Sequence, residues 1–155
     1  MTPDPASVVP DADVLAADLL VGGASRDAMD LLRSHSWMTI VTSDPLLDDG
    51  EAIVAALADA SLAADWRERV AADATVVEHP RGDHPALAAA LHGSAAHVLS
   101  LDESLTSAGQ NVALSSRVQA SVRTPAAFAS VFDPASLYRA VEGGEYPGPD
   151  RDARE

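Results

Sequence analysis

The strongest constraint on this chain is an alternation of local signals. Five short β-rich runs, Ser7-Val8-Val9-Pro10, Trp37 to Thr42, Thr75-Val76-Val77-Glu78, Ala96 to Ser100 and Val118 to Thr124, are separated by stretches with helical character. Such alternation argues for a mostly parallel sheet flanked by helices. The expected fold class is therefore α/β, a single three-layer α/β/α domain with a mostly parallel central sheet. The length, 155 residues, allows one core but not two. No internal repeat and no linker divides the chain. The domain is expected to span residues 1–142. The remainder, 143–155, begins Gly143-Gly144-Glu145-Tyr146-Pro147-Gly148-Pro149, cannot be helical, and is expected to be an acidic, flexible tail.

Punctuation residues set the expected helices. Asp13 to Val21 reads as a buried helix, and Gly22-Gly23 breaks it. Ser25 suits an N-cap for Arg26 to Ser34. Ser43 or Asp44 can cap a helix opened by Pro45, a residue favoured in the first helical turn. A further helix, around Ala63 to Ala72, carries Trp66 and Val70 inward. Asp83 is placed to cap Pro85 to Leu91, Pro125 opens a helix through Phe128 and Val131, and Asp133 starts the last one.

Composition narrows the chemistry. The 24 acidic residues against 10 basic ones give a formal charge of −14, and every basic residue is arginine. This resembles proteins of salt-loving archaea, in which molar salt screens the self-repulsion of an anionic surface. Cysteine is absent, which excludes disulfides and thiolate metal sites. No run approaches the ~18 apolar residues of a membrane span, and the acidic, Pro-rich N-terminus lacks a basic n-region. A cytoplasmic location is the default expectation.

Acidic residues follow the strand signals. Asp11 comes after Val8-Val9, Asp48-Asp49 lies a turn into the helix after Trp37 to Thr42, and Asp102 follows Val98-Leu99. Asp83 precedes the buried face of its own helix. In open α/β sheets, functional groups gather at the carboxyl ends of strands. Carboxylates brought together there disfavour one another's ionised form. A hard divalent cation relieves that repulsion, and oxygen ligands in octahedral array suit Mg²⁺ or Mn²⁺.

Several segments, in order, resemble the motifs of the PIN-domain family. Asp11-Ala12-Asp13-Val14-Leu15-Ala16-Ala17 is similar to its opening motif, with Asp13 where Asn is common. Ser43-Asp44-Pro45-Leu46-Leu47-Asp48-Asp49 resembles the second motif, with Asp replacing the usual Glu and Asp49 in better register than Asp48. Asp83-His84-Pro85-Ala86-Leu87-Ala88-Ala89-Ala90-Leu91 resembles the third, and Val98-Leu99-Ser100-Leu101-Asp102-Glu103-Ser104-Leu105 the fourth. Val122-Arg123-Thr124-Pro125-Ala126-Ala127-Phe128 looks like the closing strand, Thr-Pro and helix. The resemblance runs from about Val8 to Val131. It implies a PIN-like fold and metal-dependent hydrolysis of RNA phosphodiester bonds by metal-activated water. It further implies that Asp11, Asp49, Asp83 and Asp102 are the catalytic, Mg²⁺- or Mn²⁺-binding residues. Asp13, Ser43, Asp48 and Ser100 are expected to surround them. The implied substrate is single-stranded or loop RNA, and an antitoxin-like protein and a second copy of the chain are implied partners. A catalytically inactive PIN-like binding or regulatory domain is the alternative.

Among the arginines, Arg26 and Arg81 are expected nearest the cleft and are candidates for RNA contact. No basic patch is legible, unlike in most nucleic-acid binders. His79 and His84 bracket a Pro-Arg-Gly-Asp loop, but without cysteine or an i, i+4 His pair they do not make a zinc signature. His84, adjacent to Asp83, is expected to line the cleft at most. Trp37 and Trp66 are expected in the core.

Overall fold

Apolar residues in the strands are consecutive rather than alternate, as a sheet covered on both faces requires. In the computed structural model, which describes residues 3–81, 84–106 and 120–154, this expectation is realised. The first strand, β1 (Asp4–Pro10), is buried over its last five positions. It is followed by α1 (Ala12–Leu20), α2 (Gly23–Arg33), β2 (Thr39–Ser43), α3 (Asp44–Leu57), α4 (Ala60–Asp73) and β3 (Thr75–Val77). Then come α5 (Pro85–Gly93), β4 (Ala95–Leu99), α6 (Glu103–Thr106), β5 (Ser121–Arg123), α7 (Pro125–Val131) and α8 (Pro134–Val141).

The five strands form one sheet in the order β3-β2-β1-β4-β5. Every pairing is parallel, with Val8 opposite Ile40 on one side and His97 on the other. The protein is thus an α/β domain whose all-parallel sheet is sandwiched between helices. Side chains alternate along the strands. Val8, Ile40 and Leu99 face a core built with α1, α2, α4, α7 and α8, whereas Val9, Val41 and Val98 face one built with α5 and α6. Leu46 of α3 joins the second core and Val54 the first, so α3 bridges the two.

Most helix starts are local. Asp11, Ser43, Asp59, Thr124 and Asp133 each place a side-chain oxygen on a first-turn N–H, satisfying a donor the helix cannot. Three starts differ from the sequence expectation, one of them α4, which begins at Ala60 rather than around Ala63. The second helix begins at Gly23, with Gly22 at φ 89° as its N-cap, and Ser25 is buried inside it. The fifth is capped by His84, whose ring nitrogen accepts the Ala86 N–H. Asp83, expected to cap it, lies outside the described residues, as do the first residues of the run Val118 to Thr124. Trp37 falls just before β2 and packs edge-on against Tyr138 and His35.

The segment after α8 was expected to be flexible from its Gly and Pro content, yet the described part is anchored to α2 and the residues after it. The Tyr146 hydroxyl lies 2.6 Å from Nε2 of the buried His35, and Asp150 bonds the backbone and hydroxyl of Ser36. Arg154 pairs with Asp30 at 3.1 Å.

Candidate functional site

The strand order reverses at β1, with β2 and β3 on one side and β4 and β5 on the other. The carboxyl ends of β1 and β4 therefore flank the topological switch, where open α/β sheets form their crevice. Asp11 is the first residue past β1, and its N–H donates to Leu99 O at 2.8 Å. Its carboxylate is buried and held at both oxygens. Oδ1 accepts the Ala12 N–H at 2.8 Å, and Oδ2 accepts the Ser100 hydroxyl at 2.8 Å.

Ser100, fully buried, ties the two strand ends together. Its N–H donates to Arg123 O, its hydroxyl donates to Asp11, and the same oxygen accepts the Asp102 N–H at 3.0 Å. Asp102 is exposed and caps α6, with Oδ1 accepting the N–H and hydroxyl of Ser104 at 2.9 and 2.7 Å. These bonds, with His84 contributing less, hold its carboxyl below the usual range.

Asp13, in the first turn of α1, completes the crevice. Its Oδ2 accepts the Leu101 N–H at 3.2 Å, while its Oδ1 is buried with no hydrogen-bond partner. Burial pushes its carboxyl pKa up, the charge of Asp11 adds to the rise, and that of Asp102 adds a smaller amount. The N–H groups of Leu101 and Val14 oppose the shift. The charges of Asp11 and Asp102 thus both act on Asp13 at the carboxyl ends of β1 and β4. His84 stands beside them, its Nε2 3.7 Å from Asp11 Oδ2.

The remaining expected residues make other contacts. The apolar stripe Leu46, Leu47, Gly50 and Val54 turns α3 inward, so Asp48 and Asp49 point away from the core. Asp48 is gripped by Arg67 of α4 at 2.6 Å and by Arg81 at 3.0 Å, which hold its carboxyl below the usual range, Arg67 foremost. Asp49 is exposed. Neither touches Asp11, Asp13 or Asp102 among the described contacts, because helix rotation, invisible to residue spacing, sets which way each acid faces. Ser43 caps α3 and bonds Nε2 of His79 at 2.8 Å, one strand away from the crevice. Asp83 is outside the described residues.

Arg26 and Arg81, expected near the cleft, are engaged by other groups. Arg26 donates to the carbonyls of Asp18 and Leu19 at 2.8–3.2 Å, capping the far end of α1. At ~1.5 Å rise per residue, a nine-residue helix carries that end about 13 Å from Asp11. Arg81 is held by Asp48. Arg26 also lines an apolar-floored cavity of about 470 Å³ between α1, α2 and α4, floored by Leu15, Met29, Ile40 and Trp66, distinct from the acidic crevice. Asp13 and His84 were expected beside the site acids; what spacing did not reveal is that Asp13 Oδ1 is buried without a partner and that the His84 ring caps α5. The one local signal for His84 is its position immediately before a proline at the first helical residue.

Among the described residues, no three His, Asp or Glu side chains come close enough to enclose a metal ion by themselves. The chemistry of the crevice nevertheless fits a hard cation. Its donors are carboxylate and hydroxyl oxygens, and Asp13 Oδ1 is a buried acceptor without a donor. No helix among the described residues is long and apolar enough to cross a membrane.

A family described as a family of unknown function (DUF7384) matches residues 2–154, and the chain belongs to that family. No curated protein and no solved structure matches it.

Proposed function

We propose that the crevice at the ends of β1 and β4 is the centre of a PIN-like endoribonuclease that uses Mg²⁺ or Mn²⁺ to hydrolyse RNA phosphodiester bonds. The observation that carries this reading is Asp13, whose Oδ1 is buried without a full hydrogen bond and whose carboxyl is raised by burial and by the charges of Asp11 and Asp102 against the pull of the Leu101 and Val14 N–H groups. Leaving a buried acceptor unsatisfied costs about 1–3 kcal/mol, and clustered like charges add to that. A cation relieves both.

Asp11, Asp13 and Asp102 would supply donors to the ion, although the three do not enclose one by themselves. Asp83 joins them on the sequence resemblance alone. When bound, the ion supplies an activated water and neutralises charge on the phosphate. The protein's own part is orientation. The Ser100 hydroxyl and the Ala12 N–H fix the plane of the Asp11 carboxylate and leave its remaining lone pairs for the crevice. The Leu101 N–H fixes Asp13 in the same way. Single-stranded or loop RNA is the proposed substrate, in a cytoplasmic setting, with an antitoxin-like protein or a second copy of the chain as the proposed partners.

The test is a Mn²⁺ titration of wild type and Asp102→Asn in molar KCl, alongside cleavage of a mixed single-stranded and structured RNA pool. Metal-dependent cleavage lost in the variant is the expected result. Absence of both metal binding and cleavage would refute the reading.

A second reading, a PIN-like binding or regulatory domain without cleavage, is favoured by one observation. Asp48 is committed to Arg67 and Arg81, and among the described residues no hydrogen bond or ion pair links Asp48 or Asp49 to Asp11, Asp13 or Asp102. Metal binding that depends on Asp102 with no RNA cut would select this reading.

A further inference from the structure

His84 meets the crevice with its proton position fixed. Its Nδ1 accepts the Ala86 N–H at 3.2 Å, so in the neutral ring the proton resides on Nε2. That nitrogen is 3.7 Å from Asp11 Oδ2, beyond hydrogen-bond distance, so the N–H is not consumed by the carboxylate. The side chain is 32% exposed, enough to meet a ligand.

An imidazole that ligates a metal presents a bare nitrogen and donates its other N–H to an acceptor. His84 has the opposite arrangement, bare at Nδ1 toward the backbone and protonated at Nε2 toward the crevice. It is therefore built as a donor to an anion. The need for one is plain from the surroundings. The charges of Asp11 and Asp102 both act on Asp13 beside it, and the chain has no lysine. Arg26 is spent on the carbonyls of α1, and Arg67 and Arg81 on Asp48. Among the described residues, His84 is the basic side chain placed beside Asp11.

We propose that His84 is a substrate-binding residue, its Nε2–H donating to a non-bridging oxygen of a phosphate group seated in the crevice. This rests on the metal-dependent phosphodiesterase reading above.

Three variants separate donor from scaffold. His84→Asn keeps a short acceptor for the Ala86 N–H but cannot reach the crevice. His84→Gln restores an amide donor at similar reach. His84→Ala removes both functions. Each is titrated calorimetrically in molar KCl with Mn²⁺ alone, then with adenosine 5′-monophosphate at saturating Mn²⁺, and thermal unfolding monitors the fold. Mn²⁺ affinity is expected to stay within about twofold of wild type throughout. Nucleotide affinity is expected to fall about tenfold in His84→Asn and His84→Ala, the scale of one hydrogen bond to a charged group, and to recover most of that loss in His84→Gln. Unchanged nucleotide affinity in His84→Asn would overturn the inference. So would a tenfold loss of Mn²⁺ affinity in that variant, because His84 would then be a ligand. Wild type that binds Mn²⁺ but no nucleotide would sink the His84 role and leave the metal centre standing. Wild type that binds no Mn²⁺ would sink both.

Discussion

Gly50 sits in the middle of α3, on the stripe that packs against α4. A methyl group added there would lie 2.3 Å from Cη2 of Trp66 and 3.2 Å from its Cζ2 and Cζ3. Ordinary carbon–carbon contact is ~3.5–4.0 Å, so the overlap with Cη2 exceeds an ångström. Trp66 is 7% exposed and embedded among Val54, Ala63 and Met29, and its rigid ring cannot bend away. Two effects then oppose each other in Gly50→Ala. Helix propensity favours alanine by about 1 kcal/mol in an exposed helix interior. Overpacking a well-filled core costs about 1–3 kcal/mol, and the upper end applies because the obstacle is a buried indole. The expected net result is a destabilisation of about 1–2 kcal/mol, opposite in sign to the propensity rule. Urea unfolding in molar KCl, followed by far-UV circular dichroism, measures it. The mechanism has a second consequence in a double-mutant cycle. Trp66→Phe removes the clashing atom, so Gly50→Ala in that background is expected to be neutral or stabilising, with coupling of about 2 kcal/mol. Stabilisation of the wild type by Gly50→Ala, or additivity in the cycle, would refute the close-packing argument.

Other perturbations have outcomes set by the same structure. Arg67 holds Asp48 and Glu51 at 2.6 and 3.1 Å, but the partners are partly exposed, so solvent screening keeps Arg67→Ala to about 0.5–1 kcal/mol, fading further in molar salt. Because Asp48 is held below its ordinary value, this contribution is present above about pH 4 and lost as pH falls through the folded-state value. The variant should therefore show a shallower acid limb in low-salt urea titrations. Burial foremost, then the charge of Arg123, lowers the pKa of His97. The unfolded chain then binds the extra proton first, so stability should decline as pH drops below about 6.5, and His97→Gln should flatten that part of the urea-midpoint profile between pH 5 and 8. Tyr146→Phe removes the hydroxyl bonded to Nε2 of the buried His35, with an expected cost of about 1–2 kcal/mol. It should also raise the susceptibility of residues 143–154 to limited proteolysis, read by mass spectrometry.

Local chemistry made much of this protein legible in advance. Strand–helix alternation implies a parallel sheet because only a crossover can join parallel neighbours. The caps at Ser43 and Asp133 act within three residues of themselves, so their sequence neighbourhood is their structural neighbourhood. Asp11 and Asp102 were readable for the same reason, since a residue just past a central strand is delivered to the sheet's carboxyl edge whatever the details. Other features depended on contacts between distant segments. The rotation of α3 that gives Asp48 to Arg67, 19 residues on, is fixed by how Leu46, Leu47 and Gly50 pack. The tail looked mobile from its glycines and prolines, but Tyr146 reaches His35 across 111 residues, and composition carries no trace of that pairing. Asp13 has one oxygen on the Leu101 N–H, 88 residues away, and the other buried without a partner, neither of which its sequence neighbours show. Backbone preferences are properties of a few adjacent residues, so the sequence alone determined the elements and their order. Which side chains meet at the crevice depended on desolvation and packing across the whole sheet, and only the tertiary structure decided it.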